Sequence, residues 1–427
     1  MAGRVQLLTS GPQDRFFTFD PDYSYFLQSF KKHSNFAREY VNIDPENAAD
    51  FGGKVRFRVP QNTGDLLTTI SVKMKLPSIS TLIYDDPRFI ESIGHALIEH
   101  VDLMVGGKVI QRLTSDYLQI YSEHNITQTK QRALKELIGK YPERTVDKDI
   151  LGVIGTANTE DEFFVDLPFY FYNNPELAIP LCSITKQEVE VEIKIRNHDH
   201  LIIKGSTGQL QPVTPGTIHI KDFRLCTEVV FLDPTERVKF MKEKKDYIIT
   251  QVQQNVFDIP QGNQEGRFNL DFVNPVRELY FVIQRQGDVG TGEGQFMTPF
   301  DYDNTLADTG GKYILYENLD YLTLDLDGQP IITRDTGNVN FLKGVQAAIH
   351  HSKTQLIRRF YSYSFALEPE KWYPTGQVNF SLVKEQIVNL SLTPCVDYAR
   401  QFRVYALSHN ILRISEGTAR TIFDVKY

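Results

Sequence analysis

Short segments in which polar and apolar residues alternate recur along the chain. Lys54–Val59, Ile70–Leu76 and Glu188–Ile195 each place every second side chain on one apolar face. This period of two is typical of a β-strand with one buried face. Val101–Val105 is followed by two glycines and a second apolar segment, which favours a hairpin because glycine accepts a positive φ. The first half of the chain is therefore predicted to consist largely of strands.

The second half repeats this pattern, with turn residues such as Asp327-Gly328 between the segments. Its predicted strands are Arg267–Phe272, Glu278–Ile283, Tyr321–Leu326, Val378–Leu382 and Gln401–Ala406. Tyr363, Phe365 and Leu367 also alternate with smaller or polar residues. That spacing places the three large side chains on one face of a strand, which is predicted to be buried. By the same alternation, Leu382 of Val378–Leu382 is also predicted to be buried.

Helical periodicity is confined to a few segments. Tyr23–Val41 is mixed, and Lys130–Tyr141 carries an apolar stripe at helical spacing. Asp233 followed by Pro234 is typical of a helix N-terminus, and a charged helix is predicted from there to Lys245. Because this helix lies between two strand-rich halves of similar size, it is the predicted domain boundary.

The predicted fold class is all-β, with a few short helices. The predicted domains are an N-terminal arm (residues 1–20), a first β-domain (21–233), a linker helix (234–245) and a second β-domain (246–427). Two long stretches with few apolar anchors, Lys204–Thr217 and Gln286–Lys312, are predicted to be exposed loops at an end of the domains.

Composition and charge narrow the functional classes. The chain contains 28 Phe and 21 Tyr, and aromatic residues suit half-buried strands. Its formal net charge of −8 leaves no basic field for nucleic acid, so direct nucleic-acid binding is not expected. Three scattered cysteines do not indicate a disulfide framework. No apolar run approaches the ~18 residues of a membrane-spanning helix, and the N-terminus lacks the organisation of a signal peptide.

Motifs that would carry chemistry are weak in this chain. Gly106–Lys108 lacks the spaced glycine and the Ser or Thr of a phosphate-binding loop, and Gly290–Gly294 is not placed between a strand and a helix. His198 and His200 could offer two imidazoles to a metal, but further ligands are not evident, and a turn is the favoured interpretation. The sequence therefore predicts no catalytic, cofactor-binding or metal site.

Asn-x-Ser/Thr sequons occur at Asn125, Asn379 and Asn389. Asparagine in this pattern accepts glycans only where it is exposed and enters a secretory route. Asn379 lies inside a predicted strand, so Asn125 and Asn389 are the candidate glycosylation sites.

A set of longer motifs runs through both halves in a fixed order. They are Phe30–Ala37, Leu167–Phe171, Leu177–Leu181, Phe231–Arg237, Phe272–Leu279, Tyr363–Glu370, Pro374–Ser381, Val404–Ala406 and Asn410–Ile414. With these segments the chain resembles the major capsid proteins of nucleocytoplasmic large DNA viruses, the phycodnavirus, iridovirus and mimivirus kind.

The resemblance implies two consecutive eight-stranded jelly rolls. It also implies a non-enzymatic building block without cofactors, which forms pseudo-hexagonal homotrimeric capsomers that tile an icosahedral shell. The implied partners are further copies of the chain, minor capsid and penton proteins, and an internal membrane reached through minor proteins. The implied location is the virion, assembled in host cytoplasm.

Two further points follow from the family and from its fold. In the family, a pair like His350-His351 precedes the strand that contains Tyr363, which favours a packing or inter-subunit role over metal ligation. Jelly rolls also occur in lectins and in modules of glycoside hydrolases, so the fold alone does not give function. A carbohydrate-binding or hydrolytic tandem β-sandwich protein therefore remains the alternative.

Overall fold

The computed structural model describes most of the chain, and strands dominate it. The described residues are 3–28, 30–79, 87–140, 162–204, 218–286, 299–300, 302, 304–307, 313–352, 359–394 and 398–426. Met1–Phe36 forms one compact unit and Ala37–Tyr427 forms another. No helix among these described ranges is long and apolar enough to cross a membrane.

The strands of the first half precede residue 233. They are β1 (Phe36–Ile43), β2 (Lys54–Val59), β3 (Leu66–Lys75), β4 (Pro87–Phe89), β5 (Ile98–Val105), β6 (Lys108–Thr114), β7 (Glu162–Asp166), β8 (Ile179–Pro180), β9 (Val189–Ile195), β10 (Ile202–Lys204) and β11 (Asp222–Leu232). One sheet has the order β1-β11-β3-β7, with β8 beside β3, and a second has the order β2-β9-β5-β6. β4 and β10 pair separately.

The strands of the second half repeat this arrangement. They are β12 (Lys245–Ile259), β13 (Glu265–Asn269), β14 (Pro275–Arg285), β15 (Asn304–Ala307), β16 (Tyr313–Tyr316), β17 (Leu319–Leu326), β18 (Gln329–Ile332), β19 (Phe360–Ser364), β20 (Val378–Asn379), β21 (Gln386–Leu392), β22 (Arg400–Ser415) and β23 (Thr418–Thr421). The two main sheets are β12-β22-β14-β19, with β20 and β23 at its margins, and β13-β21-β17-β18.

Both halves have the same topology. If the eight main strands of each half are counted along the chain, the two sheets have the orders 1-8-3-6 and 2-7-4-5 in both cases. The main pairings other than β1–β11 are antiparallel. This is the doubled Greek-key arrangement of the jelly roll. The predicted all-β fold of two eight-stranded jelly rolls is confirmed.

The helices are short. They are α1 (Gly3–Leu8), α2 (Pro12–Thr18), α3 (Ile93–Leu97), α4 (Ser115–His124), α5 (Gln131–Ile138), α6 (Pro234–Lys242) and α7 (Gln346–His350). α5 confirms the predicted helix, but Ala133 and Leu137 of its apolar stripe are exposed, and Ile138 is the stripe residue that is buried. α6 confirms the predicted N-terminus at Asp233, whose side chain accepts from Thr235 N, but it ends before Lys245 because β12 begins there. The mixed segment Tyr23–Val41 is not a long helix and ends in β1.

Each jelly roll has a core between its two sheets. In the first, Phe57 and Val191 from one sheet and Val72 and Leu225 from the other belong to one buried cluster. The alternation that predicted β2 and β9 is visible in the burial of every second residue of β2. In the second, a separate cluster joins the two remaining sheets; it includes Leu279, Phe281, Val388, Phe402 and Val404.

The sheet β12-β22-β14-β19 is buried on both faces. Leu279 and Phe281 of β14 belong to the core of the second jelly roll, whereas Tyr280 and Val282 belong to the cluster that continues into the first. Nearly all of β14 is consequently buried, with no face exposed to solvent. A strand that is buried on both faces does not need a polar residue at every second position. This explains why polar and apolar residues do not alternate in Glu278–Ile283.

Two predicted buried positions are wrong. Leu367 and Leu382 are 77% and 76% exposed. β19 ends at Ser364, and a 3₁₀ turn occupies Phe380–Leu382, so the period of two does not extend to either residue. Phe365 is half-buried against the second core, next to Phe380.

The two predicted loops lie mainly outside the described residues, at 205–217 and 287–298. Part of the second stretch is not a loop. Asn304–Ala307 forms β15 and pairs with β16.

Phe402 offers a direct test of the second core. Its ring is fully buried and contacts Phe268 and Phe281, with centroids 5.5 and 6.2 Å away. We expect Phe402→Ala to lower the free energy of unfolding by ~3–5 kcal/mol, because it removes a large buried side chain. The exposed Leu367→Ala is the control and should change it by less than ~0.5 kcal/mol. Equal effects of the two variants in denaturant titrations would contradict this core assignment.

Candidate functional site

The most distinctive site is the buried surface where the two jelly rolls meet, here called the seam. On one side lies the outer face of the sheet β12-β22-β14-β19. On the other lie β6 and α4 of the first jelly roll. Tyr280, Tyr405 and Leu407 lie in the same apolar cluster as the first core. The Gln251 side-chain amide donates to Ile110 O across the seam at 2.7 Å.

One polar network in the seam centres on Asp116. This residue lies in the first turn of α4, which Thr114 caps by accepting from Tyr117 N. The Asp116 carboxylate accepts from Arg403 at 2.6 Å and from the hydroxyls of Tyr405 at 2.5 Å and Tyr302 at 2.7 Å. All three donors come from the second half of the chain. The network therefore joins the first jelly roll to the second.

Electrostatics keep this carboxylate ionised. Burial alone would raise the pKa of Asp116, but the Arg403 guanidinium and two tyrosine hydroxyls lower it below its ordinary value of 3.8. Burial likewise opposes the charge on Arg403, yet Asp116 raises the pKa of that guanidinium. A buried pair with this many hydrogen bonds is costly to break from one side.

A second polar cluster lies at the other end of α4 and contains His124, Glu278 and His351. His351 Nε2 donates to Glu278 Oε1 at 2.6 Å, and Tyr280 donates its hydroxyl to Glu278 Oε2 at 2.9 Å. The rings of His124 and His351 stack with centroids 4.0 Å apart. Burial opposes protonation of His351, but Glu278 and then Glu370 raise its pKa to about 9.

A polar cavity of about 250 Å³ opens beside Asp116. Three guanidinium groups line it, those of Arg112, Arg196 and Arg403. Arg112 forms two hydrogen bonds of 2.6 Å with Asp102, and Arg403 is paired with Asp116. The carboxylates therefore offset most of this positive charge, and the cavity is not a strong anion site.

The sequence candidates lie elsewhere. Gly106 and Gly107 have φ of 59° and 76° and form the turn of the β5–β6 hairpin, which confirms that interpretation. His198 and His200 lie in a 3₁₀ turn, where His198 Nδ1 contacts Asp199 at 2.7 Å. Gly290–Gly294 falls outside the described residues.

The two candidate glycosylation sites are both half-buried. Asn125 is the C-cap of α4. Asn389 lies in β21, where its amide donates to Thr323 Oγ1 and Asp325 Oδ2 at 3.1 and 3.2 Å. Asn379 of the third sequon is exposed and caps a 3₁₀ turn.

The sequence does not single out the seam residues. Asp116 and Arg403 are 287 positions apart, and no local pattern joins them. The feature that makes these residues stand out is visible only in the structure, where α4 is buried on nearly every side. Polar residues such as Asp116, Glu123 and His124 require hydrogen-bond partners when they lie in a helix with no solvent-exposed face.

Replacing Asp116 tests the seam. We expect Asp116→Asn to lower the free energy of unfolding by ~3–5 kcal/mol, because it leaves Arg403 without its buried counterion. Asp246→Asn is the matched control: Asp246 pairs with Arg413 at the surface, where solvent screens the pair, and its loss should cost far less. Urea titrations at neutral pH give both values.

The difference in stability between the wild type and Asp116→Asn also depends on pH. Because the folded-state pKa of Asp116 lies below the ordinary 3.8, its stabilisation is present above that value and is lost as the pH falls through the folded pKa. The stability difference between wild type and Asp116→Asn should therefore shrink in acid. A difference that stays constant down to pH 2 would contradict this role for the carboxylate.

Comparison with known proteins agrees with this architecture. Residues 24–233 match the family model described as the major capsid protein N-terminus, and residues 236–420 match that of the large eukaryotic DNA virus major capsid protein. The major capsid protein of Pyramimonas orientalis virus is 26% identical over 422 residues, which covers 97% of each chain.

Solved structures show the same fold. A quasi-atomic model of the PBCV-1 virus capsid aligns with a TM-score of 0.76 and 20% identity, covering 94% of this chain and 100% of that one. The Faustovirus major capsid protein aligns with a TM-score of 0.72 and 14% identity, covering 97% and 96%. With matching models over both jelly rolls and similar proteins along its full length, this chain belongs to the family of major capsid proteins of large eukaryotic DNA viruses.

Proposed function

We propose that the chain is a structural building block that forms a homotrimer, and that this trimer is a pseudo-hexagonal capsomer of an icosahedral shell. The observation that carries the proposal is the seam. It fixes two jelly rolls of identical topology in one compact unit. Three such chains place six similar barrels around one axis, which is the number that a hexagonal tile needs.

Exposed apolar side chains supply contact surface for this assembly. In the N-terminal unit, large apolar side chains are exposed along its length; they include Leu7, Leu8, Phe16, Phe17, Phe19, Tyr25, Phe26 and Phe30. β1 is an edge strand with an exposed Tyr40. Unpaired strand edges and apolar patches of this extent favour coverage by another chain. A closed cyclic assembly provides that coverage.

The domain assignment supports the same unit. The strands of the first jelly roll end at Leu232 and those of the second begin at Lys245, with α6 between them. We therefore propose residues 21–233 and 246–427 as the two domains, 234–245 as the linker and 1–20 as an arm.

The proposed role is not enzymatic. In the seam, the buried Asp116 is paired with Arg403 and with two tyrosine hydroxyls, which suits a structural function. The proposed partners are neighbouring capsomers, minor capsid and penton proteins, and a membrane reached through minor proteins, without direct nucleic-acid contact. We propose assembly in host cytoplasm. Glycosylation at Asn125 and Asn389 belongs to the same set of proposals.

Sedimentation of the purified chain tests the oligomer. Three chains of 49.1 kDa give a particle of about 147 kDa, and an obligate contact of this kind buries more than ~2,000 Å². We expect a trimer that persists at micromolar concentration, and hexagonal outlines in electron micrographs. A stable monomer would contradict the proposal, and one that binds or cleaves a polysaccharide would favour the alternative tandem β-sandwich function.

A further inference from the structure

The cluster of His124, Glu278 and His351 brings together three side chains that ligate metals. His124 ends α4 of the first jelly roll, Glu278 lies in β14, and His351 follows α7. All three are buried, and their candidate ligand atoms lie within 4.8 Å of one another. Among the residues that the structure describes, no other group of three such side chains meets that condition.

The donor set selects a class of metal. Two imidazoles and one carboxylate are the ligands of many tetrahedral zinc sites, which leave the fourth position to water. Hard ions such as Mg²⁺ and Ca²⁺ prefer oxygen ligands throughout, whereas imidazole suits zinc and its neighbours. The cluster therefore fits a divalent transition-metal ion better than an alkaline-earth ion.

Outer groups hold the ligands in place. The Tyr280 hydroxyl occupies Glu278 Oε2 and leaves Oε1 directed at His351. On the far side of the His351 ring, Nδ1 faces Glu370 Oε1 at 3.5 Å, and Glu370 accepts from Ser352 N at 2.8 Å. A histidine with one nitrogen towards a carboxylate and the other towards the metal is the usual arrangement in metal sites.

The charges of the cluster and the distances between its ligand atoms also suit a bound divalent ion. Metal ligation requires both imidazoles to be neutral, so binding displaces to solvent the proton that His351 Nε2 donates to Glu278, and a divalent ion then balances the charges of Glu278 and Glu370. Two ligands bound to tetrahedral zinc at ~2.0–2.1 Å lie about 3.3 Å apart, and His351 Nε2 is 2.6 Å from Glu278 Oε1. That separation needs to open by less than ~1 Å, while the stacked His124 ring tilts towards the ion.

We propose that His124, Glu278 and His351 bind a divalent transition-metal ion, with Zn²⁺ preferred, and that Glu370 is the outer carboxylate that orients His351. Because the ligands come from both jelly rolls, the metal is a cross-link of the seam. A metal that binds only the folded chain stabilises it. The three ligands are buried within one chain, and this proposal does not depend on the proposed assembly function.

The experiment uses the full chain without a histidine tag, stripped with a chelator and then supplied with Zn²⁺ at pH 8. We expect one zinc per chain by elemental analysis after gel filtration, and a higher melting temperature. Co²⁺ should give the visible absorption of a tetrahedral site in the wild type, a readout that needs no variant.

Matched variants locate the ion. His351→Ala and Glu278→Gln should abolish stoichiometric zinc, whereas His350→Ala, at the adjacent half-buried residue, should retain it. Glu370→Gln should weaken zinc binding by about 10–100-fold. Two results would overturn the proposal: no stoichiometric zinc or cobalt in the folded wild type, or zinc retained by folded His351→Ala. Either would show that the cluster is a hydrogen-bonded structural element only.

Discussion

The architecture depends on one sheet that buries both of its faces. β12, β22, β14 and β19 contribute one set of side chains to the second core and the alternate set to the seam, so that neighbouring residues such as Tyr280 and Phe281 serve different clusters. Burial of apolar area is the main favourable term in folding. The outer face of this sheet is not exposed to solvent, because the first jelly roll covers it.

Polar groups give this contact its geometry. An apolar surface alone permits sliding, because the hydrophobic effect has no direction. Asp116 has three donors from the second half of the chain, and the Gln251 amide of the second jelly roll donates to Ile110 O of the first. Groups buried in this way are costly unless they are paired, so a displaced arrangement of the two jelly rolls loses several hydrogen bonds together. We infer that these networks set the orientation of the two jelly rolls.

Sequence patterns predict the parts of the fold that have one wet face. β2 and β9 alternate, and the apolar stripe of α5 predicts its helix, although Ala133 and Leu137 of that stripe are exposed. α4 has no such stripe because it is buried all round, and the patterns do not predict it. The seam partners are far apart along the chain and carry no local signal, so only the three-dimensional arrangement joins Asp116 to Arg403. Leu367 shows the opposite error. The alternation in the sequence continues past the end of β19 and wrongly predicts that Leu367 is buried.

The central claim is that the seam makes the two jelly rolls one cooperative unit. Hydrogen exchange followed by mass spectrometry across a denaturant series tests it, with peptides from β5 and β9 compared with peptides from β14 and β22. Shared burial predicts that all four strands lose protection at the same denaturant concentration. Loss of protection in β5 and β9 while β14 and β22 remain protected, or the reverse, would show that the two jelly rolls unfold independently and would contradict the claim.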